Sequence, residues 1–445
     1  MSFPFGKNIK LTIDGGAHDE KIVMRLSGVR AGIEVDSAEL SAFLSRRAPS
    51  NTWETARKEE APPHFTCGIA NGATTGEEIC AYIENYNVNS SAYADVNRFP
   101  RPSHADYPAV IKYGENVDLR GGGHFSGRLT ALTCTAGFIA MQYIKRLGVE
   151  VFAHVYSVKD ICDTPFSDVF PEKCSEGLPV INKEAEKKMT AAMLEAGKNG
   201  DSLGGVIECA VTGLEPGLGE HMFRSVEAAI SDAVFSVPSV KGIEFGAGFN
   251  GTRLFGSEFN DAYFYDSGTV KTRTNNNGGI LGGMTNGMPV IFRAAIKPVP
   301  SIAKTQQTVD LAEHKNAEIT INGRHDSCIV FRAVPVIEAA AALAAADILL
   351  GEEKHGTDIL SLRREIDKTD AEIVSLLCSR MEISKAVAEE KAKTGKSVYD
   401  PEREKQLLDR IKALAGENAP LAEEIYNVIL KYSKNIQTES MKGKR

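Results

Sequence analysis

Residues 362–391 read LRREIDKTDAEIVSLLCSRMEISKAVAEEK. Ile359, Leu362, Ile366, Ile373, Leu376, Ile383 and Val387 recur at three- and four-residue steps, the spacing of one long helix packing in a bundle. The same spacing puts Arg380 in the apolar seam. An unpaired buried cation costs several kcal/mol, so this position calls for a carboxylate or a bound anion. A helix rises about 1.5 Å per residue, which sets Arg380 roughly 16 Å from Lys391 on nearly the same face, and Arg363 roughly 25 Å from Arg380. Arg380 and Lys391 can therefore clasp a small dianion between them. Arg363 can join the same ligand only from an antiparallel partner, most simply a second copy of the chain. Asp400, Arg403, Glu404, Ser433 and Gln437 add further polar groups to the apolar helices that follow. The plain alternative is an arginine that snorkels or pairs with a neighbouring glutamate.

Outward from this stretch, helix formers dominate to the end of the chain. Three helical segments are readable at about 358–393, 401–415 and 419–438. Gly395 and Gly416 punctuate them, and Pro401 and Pro420 suit first-turn positions. Upstream the sequence is glycine-rich. It mixes β-like runs (NIKLTI, VEVFAHVYSV, GGVIECAVTG, AEITI) with helical ones (GRLTALTCTAGFIAMQYIKRLG, INKEAEKKMTAAMLEAGKNG, FRSVEAAISDAVFSV), an α/β or α+β mixture. The expected organisation is a large domain over 1–351, a linker over 352–357 and a helical domain over 358–445.

The 445 residues carry a formal net charge of -8 and no long basic run, which argues against a nucleic-acid partner while leaving room for a local cationic pocket. The N-terminus lacks an apolar core of signal-peptide length. VIEAAAALAAADILL is interrupted by Glu338 and Asp347 and reads as a buried helix, not a membrane span. None of the eight cysteines has CxxC spacing, so free thiols in a reducing cytoplasm are the expectation.

The tail resembles the all-helical type of chorismate mutase over about residues 358–441. LRREID, LLCSRMEISKAVAEEKAK, VYDPEREKQLL and SKNIQ carry the likeness. The resemblance implies that Arg380, and Arg363 from a partner chain, bind the substrate's two carboxylates. It implies that Lys391 and Gln437 contact the ether oxygen of the breaking bond, and that Glu404 and the backbone near Asp400 hold the ring hydroxyl. Arg403 and Ser433 would support the carboxylate end. Every one of these positions carries the residue type the family uses. The unimolecular rearrangement of chorismate to prephenate needs no nucleophile, metal or cofactor. It needs a substrate held compact and negative charge stabilised on the ether oxygen.

In the large domain, RPSHADY, NNNGGILGG, KPVPSI and GRHDSCIVFRAVPVIEA stand out, with His18, His104 and an Arg-His-Asp triplet at 324–326. Singly, each histidine suits a structural role equally well, and glycine clusters serve turns as often as phosphate cradles. There is no P-loop and no dinucleotide GxGxxG in its strand–helix context. Together, over about residues 5–350, these stretches resemble chorismate synthase. That implies a β-α-β sandwich, a homotetramer with dimeric mutase tails, and loss of phosphate from 5-enolpyruvylshikimate 3-phosphate with reduced FMN. NADPH or a separate reductase is left open as the electron source. By position, His18 would protonate the departing phosphate, His104 would serve the flavin and Asp326 would assist proton removal. His124, Phe125, Ser126, Pro238, Ser239, Gly282, Lys297, Ser301 and Arg324 match cofactor positions. Arg47, Arg101, Arg128 and Arg332 match the substrate's cationic pocket.

The pattern departs from the family at Gly15-Gly16-Ala17-His18-Asp19, at Ala48, through His124–Leu129 and at Ser327. Both histidines and Asp326 are retained. The first reading is a cytoplasmic bifunctional enzyme, a phosphate lyase followed by an isomerase. A second keeps the mutase active beside a degenerate, flavin- or ligand-sensing synthase-like domain. A third makes the tail an oligomerisation bundle without catalysis.

Overall fold

In Lys21–Ser27 every second residue is apolar, and Ile22, Met24 and Leu26 are buried while their neighbours face out, the period of a half-covered strand. This strand pairs antiparallel with Lys10–Asp14 on one side and Ile79–Glu84 on the other, and His64–Cys67 completes a four-stranded sheet. A second, five-stranded antiparallel sheet runs in the order Val240–Phe245, Val290–Ile296, Gly205–Thr212, Glu150–Val158, Ile161–Cys162. The computed structural model describes residues 4–48, 62–85, 96–167, 178–321, 326–355, 359–394 and 397–442.

Between the sheets lie two helices. Thr130–Arg146 packs on the four-stranded sheet, Val330–His355 packs on the five-stranded one, and the two helices pack on each other. Small residues permit that approach: a Cβ built on Gly137 would stand 2.3 Å from Ala339 Cβ. Leu132, Ile139 and Ile144 are fully buried here, each contributing about 1.5–3 kcal/mol relative to an exposed side chain. The result is the expected β-α-β sandwich. Val330–Glu352 is long and apolar enough to cross a membrane, yet it is mostly buried inside this sandwich. Its two acids are used structurally. Glu338 takes a bidentate bond from Arg46 (2.7 and 2.9 Å), and Asp347 Oδ1 accepts the backbone N–H groups of Lys7, Asn8 and Ile9.

The chain divides into two compact units, Met1–His355 and Gly356–Arg445. The second is three helices, Ile359–Thr394, Pro401–Ala415 and Ala419–Lys442. Asp400 caps the middle one by accepting from Arg403 N, Pro401 opens it, and Gly416 ends it at φ 55°. The apolar seam of the long helix does not close inside this unit. Ile366, Ile373, Leu376, Ile383 and Val387 are exposed, while Ser384 and Ala388 are the buried ones among the described residues of this helix. The long helix has 36 residues against 15 and 24 for its neighbours, and the stripe is turned away from them.

Candidate functional site

The larger unit builds its site around one turn, Arg120–Phe125. Gly121, Gly122 and Gly123 have φ of 60°, 95° and 53°, the left-handed region that favours glycine. Space demands glycine as well. A Cβ on Gly121 would lie 2.6 Å from His18 Nε2, and one on Gly122 would lie 3.7 Å from His104 Nε2. The turn therefore brings together two histidines that are 86 positions apart in the chain (104 − 18). It is tied down from the His18 side, where Ala17 N donates to Gly123 O at 3.0 Å.

His104 is oriented by Asp106, a residue absent from the sequence-based expectations although the H-x-D spacing in RPSHADY pointed to it. Asp106 is fully buried. Its carboxylate accepts from Arg101 N (3.0 Å), Arg101 Nε (2.7 Å), Arg101 Nη2 (2.8 Å) and His104 Nδ1 (2.6 Å). Burial opposes its ionisation, but the bonds from Arg101 and His104 prevail and hold its pKa down at about 2. An ionised acceptor there fixes the proton on Nδ1. The 3.1 Å approach of Arg101 Nη2 to that nitrogen is then proximity around a shared carboxylate, and Nε2 faces the glycine turn.

Lys297 lies beside this pair. Its ammonium donates to Ser103 O, and its backbone N–H donates to Ser239 O at 3.0 Å. Both serines hold left-handed backbones, φ 60° and 76°, a conformation uncommon outside glycine and one that clusters at functional sites. Burial, then the nearby Lys241, lowers the Lys297 pKa. Ser301 Oγ is 3.5 Å from Arg101 Nη1. Arg101, His104, Ser239, Lys297 and Ser301 are thus brought together, and Pro238 adjoins Ser239.

A second group of cations reaches the His18 loop. Arg128 donates to Ala17 O. Arg47, itself buried, donates from Nε to Thr130 Oγ1 (3.1 Å) and from Nη2 to Arg128 O (3.4 Å). Arg332 Nε donates to Arg47 O (2.9 Å) and its Nη1 pairs with Asp326 Oδ2 (2.8 Å). Ser126, mostly buried, caps the turn that carries Arg128. Phe125 is exposed. Gly282 sits exposed at the tip of the Ile280–Leu281/Met284–Thr285 hairpin, and no described contact joins it to the two histidines. Arg324 lies outside the described residues.

The departures noted in the sequence meet one another. His124 Nδ1 bonds Gly15 O at 2.7 Å, and Asp19 Oδ2 accepts from Gly16 N at 2.6 Å. The altered His18 loop and the altered glycine turn thus stabilise each other. Ser327 is buried, and its carbonyl accepts from Leu203 N at 2.7 Å.

In the helical unit Arg380 is half-buried and donates from Nη1 to Ser433 Oγ at 2.6 Å. Ser433 is buried and also 3.4 Å from Ser384 Oγ. One helical turn beyond Ser433, Gln437 Oε1 is buried with no hydrogen-bond partner among the described residues. Glu404 pairs with Lys434 at 3.1 Å, and Lys391 Nζ donates to Val398 O at 3.0 Å, near the Asp400 cap. Lys434 and Ser384 were missed in the sequence. Both lie one residue from, or one turn along from, a position that was chosen. Arg403 is exposed. Arg363 is on the described helix, but its side chain lies outside the described residues.

Comparison with known proteins follows this division. The family model for chorismate synthase matches residues 9–350, and that for chorismate mutase type II matches residues 362–438. The chorismate synthase of Lancefieldella parvula is 41% identical over 366 residues, covering 78% of this chain and 96% of the relative. That of Thermococcus kodakarensis is 42% identical over 347 residues, covering 78% and 97%. A crystal structure of chorismate synthase superimposes with a TM-score of 0.63 at 26% identity, covering 83% of this chain and 99% of the other.

Proposed function

Because the chain belongs to the chorismate synthase family and carries a chorismate mutase type II domain behind it, we propose that it makes chorismate from 5-enolpyruvylshikimate 3-phosphate and then rearranges it to prephenate. The observation that carries the first step is the glycine turn that sets His18 and His104 against one backbone segment, with the Arg47–Arg128–Arg332 group beside it.

The donor set suits FMN. Lys297, Ser301 and Ser126 offer cationic and hydroxyl donors for its phosphate and polar groups. When bound, reduced FMN supplies transient electron donation to the substrate. The chain's own residues do the rest. The three arginines hold phosphate and carboxylate and orient the leaving group. His18 delivers a proton to the departing phosphate oxygen. Asp106 holds His104 in the tautomer whose Nε2 accepts a proton, and Arg332 holds Asp326 aimed for proton removal. A cytoplasmic location and a homotetramer belong to this reading, with NADPH or a separate reductase as the electron source.

In the mutase, Arg380 and Ser433 hold one carboxylate. Lys391 and the amide nitrogen of Gln437 donate to the ether oxygen, and Glu404, oriented by Lys434, takes the ring hydroxyl. Arg403 and the Asp400 backbone complete the pocket. The outward stripe Ile366–Ile373–Leu376–Ile383 supports a second tail packed on the first, which would deliver Arg363. One assay tests the whole. Purified chain given chorismate alone should form prephenate. With reduced FMN and 5-enolpyruvylshikimate 3-phosphate it should release phosphate and form prephenate. Mutase turnover with no phosphate release under reducing conditions would overturn the synthase half, and no turnover of chorismate would overturn the mutase half.

A further inference from the structure

The four-stranded sheet packs one face on the Thr130–Arg146 helix. On its other face Arg25, Cys80 and Cys67 stand in one row across three strands, with Val23, Tyr82 and His64 in the next. A regular register would continue His64↔Tyr82 and Phe65↔Ala81 by setting Thr66 opposite Cys80. Instead the register slips after Phe65, and Cys67 becomes the partner of Cys80. The slip has visible supports. Thr66 Oγ1 turns onto Cys80 O at 3.3 Å, and Gly68 follows at φ 77°, where a Cβ would lie 2.5 Å from Ile79 Cα. A one-residue bulge thus places two thiols, 13 positions apart (80 − 67), directly across a ladder.

Direct antiparallel partners have Cα atoms about 4.5–5.5 Å apart, inside the roughly 4.4–6.8 Å span that a disulfide bridges. Cys67 is exposed and Cys80 half-buried; Cys67 Sγ donates to Glu78 O at 3.2 Å and Cys80 Sγ to Glu78 Oε2 at 3.9 Å. Elsewhere among the described residues, Cys134, Cys209 and Cys328 are buried, and Cys162 and Cys378 are exposed.

We propose that Cys67 and Cys80 form a dithiol that hydrogen peroxide closes to a cross-strand disulfide. Cys67 sulfur attacks one peroxide oxygen, and the O–O bond breaks. The departing oxygen takes a proton and leaves as water, and Cys67 is a sulfenic acid. Cys80 sulfur then attacks Cys67 sulfur, its proton goes to the expelled hydroxyl, and a second water leaves. Two thiols and one peroxide give one disulfide and two waters, the two electrons passing from sulfur to oxygen. The hydrogen bond to Cys67, then burial, pushes the Cys80 thiol up to about 11. Cys67, the more exposed of the two, meets peroxide first, and Cys80, directly across the ladder, resolves it. A dithiol reductant reverses the bond.

Full-length chain treated with hydrogen peroxide and then titrated for thiols in denaturant should fall from eight to six. A non-reducing peptide map should link Cys67 to Cys80 within one chain, and dithiothreitol should restore all eight. Cys80→Ser should form no link and should instead trap Cys67 as a sulfenic acid captured by dimedone. Cys67→Ser should leave Cys80 a thiol at the same dose. Links between other cysteines or between chains, an unchanged thiol count, or loss of two thiols in Cys80→Ser would each overturn the proposal. A denaturant unfolding transition of the β-α-β unit matching that of the native chain shows that both variants are folded.

Discussion

Asp106→Asn removes one charge and keeps the shape, so its effect can be worked from the geometry. The native carboxylate accepts four bonds, three of them from Arg101. An amide oxygen cannot balance the buried guanidinium, and breaking a buried pair on one side costs about 3–5 kcal/mol. Part of that loss depends on pH. The folded pKa of Asp106 is depressed from 3.8 to about 2. Ionised Asp106 thus contributes about 2 kcal/mol of stability above its unfolded pKa, and this is lost as pH falls through the folded value. The gap between native and variant, read by denaturant unfolding of the β-α-β unit, should be about 3–5 kcal/mol at pH 6 and narrow by about 2 kcal/mol near pH 2. Phosphate release should drop about 10²–10⁴-fold because His104 loses its fixed tautomer. Prephenate formation from added chorismate in the same sample should be unchanged. A variant less than about 1 kcal/mol weaker, with its phosphate release intact, would refute the assignment of Asp106 as the group that positions Arg101 and His104.

Gly121→Ala should abolish phosphate release and spare the mutase, because its Cβ would meet His18 Nε2 and its backbone would cost about 1–2 kcal/mol at φ 60°; parallel assays of both reactions check it. Gln437→Leu relieves a buried partnerless oxygen, so the tail should melt no lower, while prephenate formation falls about 10²-fold. Arg380→Ala should cost the mutase about 10²–10³-fold in kcat with helix content retained by circular dichroism, and should leave phosphate release untouched.

The helical tail was readable because local periodicity and caps decide it. The three expected segments and the observed helices agree closely, down to Pro401 and Gly416. The direction of the seam was not readable, since spacing alone does not say whether the stripe at Ile366, Ile373 and Leu376 meets its own chain. In the large domain, motifs marked His18, His104 and the arginines, but their meeting depends on three left-handed glycines, whose conformation no spacing rule reveals. Asp106 was overlooked although it stands two residues after His104, because that spacing does not show a carboxylate buried against Arg101. The Cys67–Cys80 pairing required a register slip, and a slip of one residue is invisible until strands are aligned. Glu338 and Asp347 were taken as marks of a buried helix, and that helix is mostly buried, though the partner of Glu338, Arg46, could be found only in space.

The bare stripe along the Ile359–Thr394 helix has a consequence for how the two activities answer to concentration. If covering it takes a second copy, the rearrangement step obeys mass action in the enzyme itself. Diluting the protein should lower prephenate formed per chain, and a dilution series would turn a row of isoleucines into a measured dissociation constant.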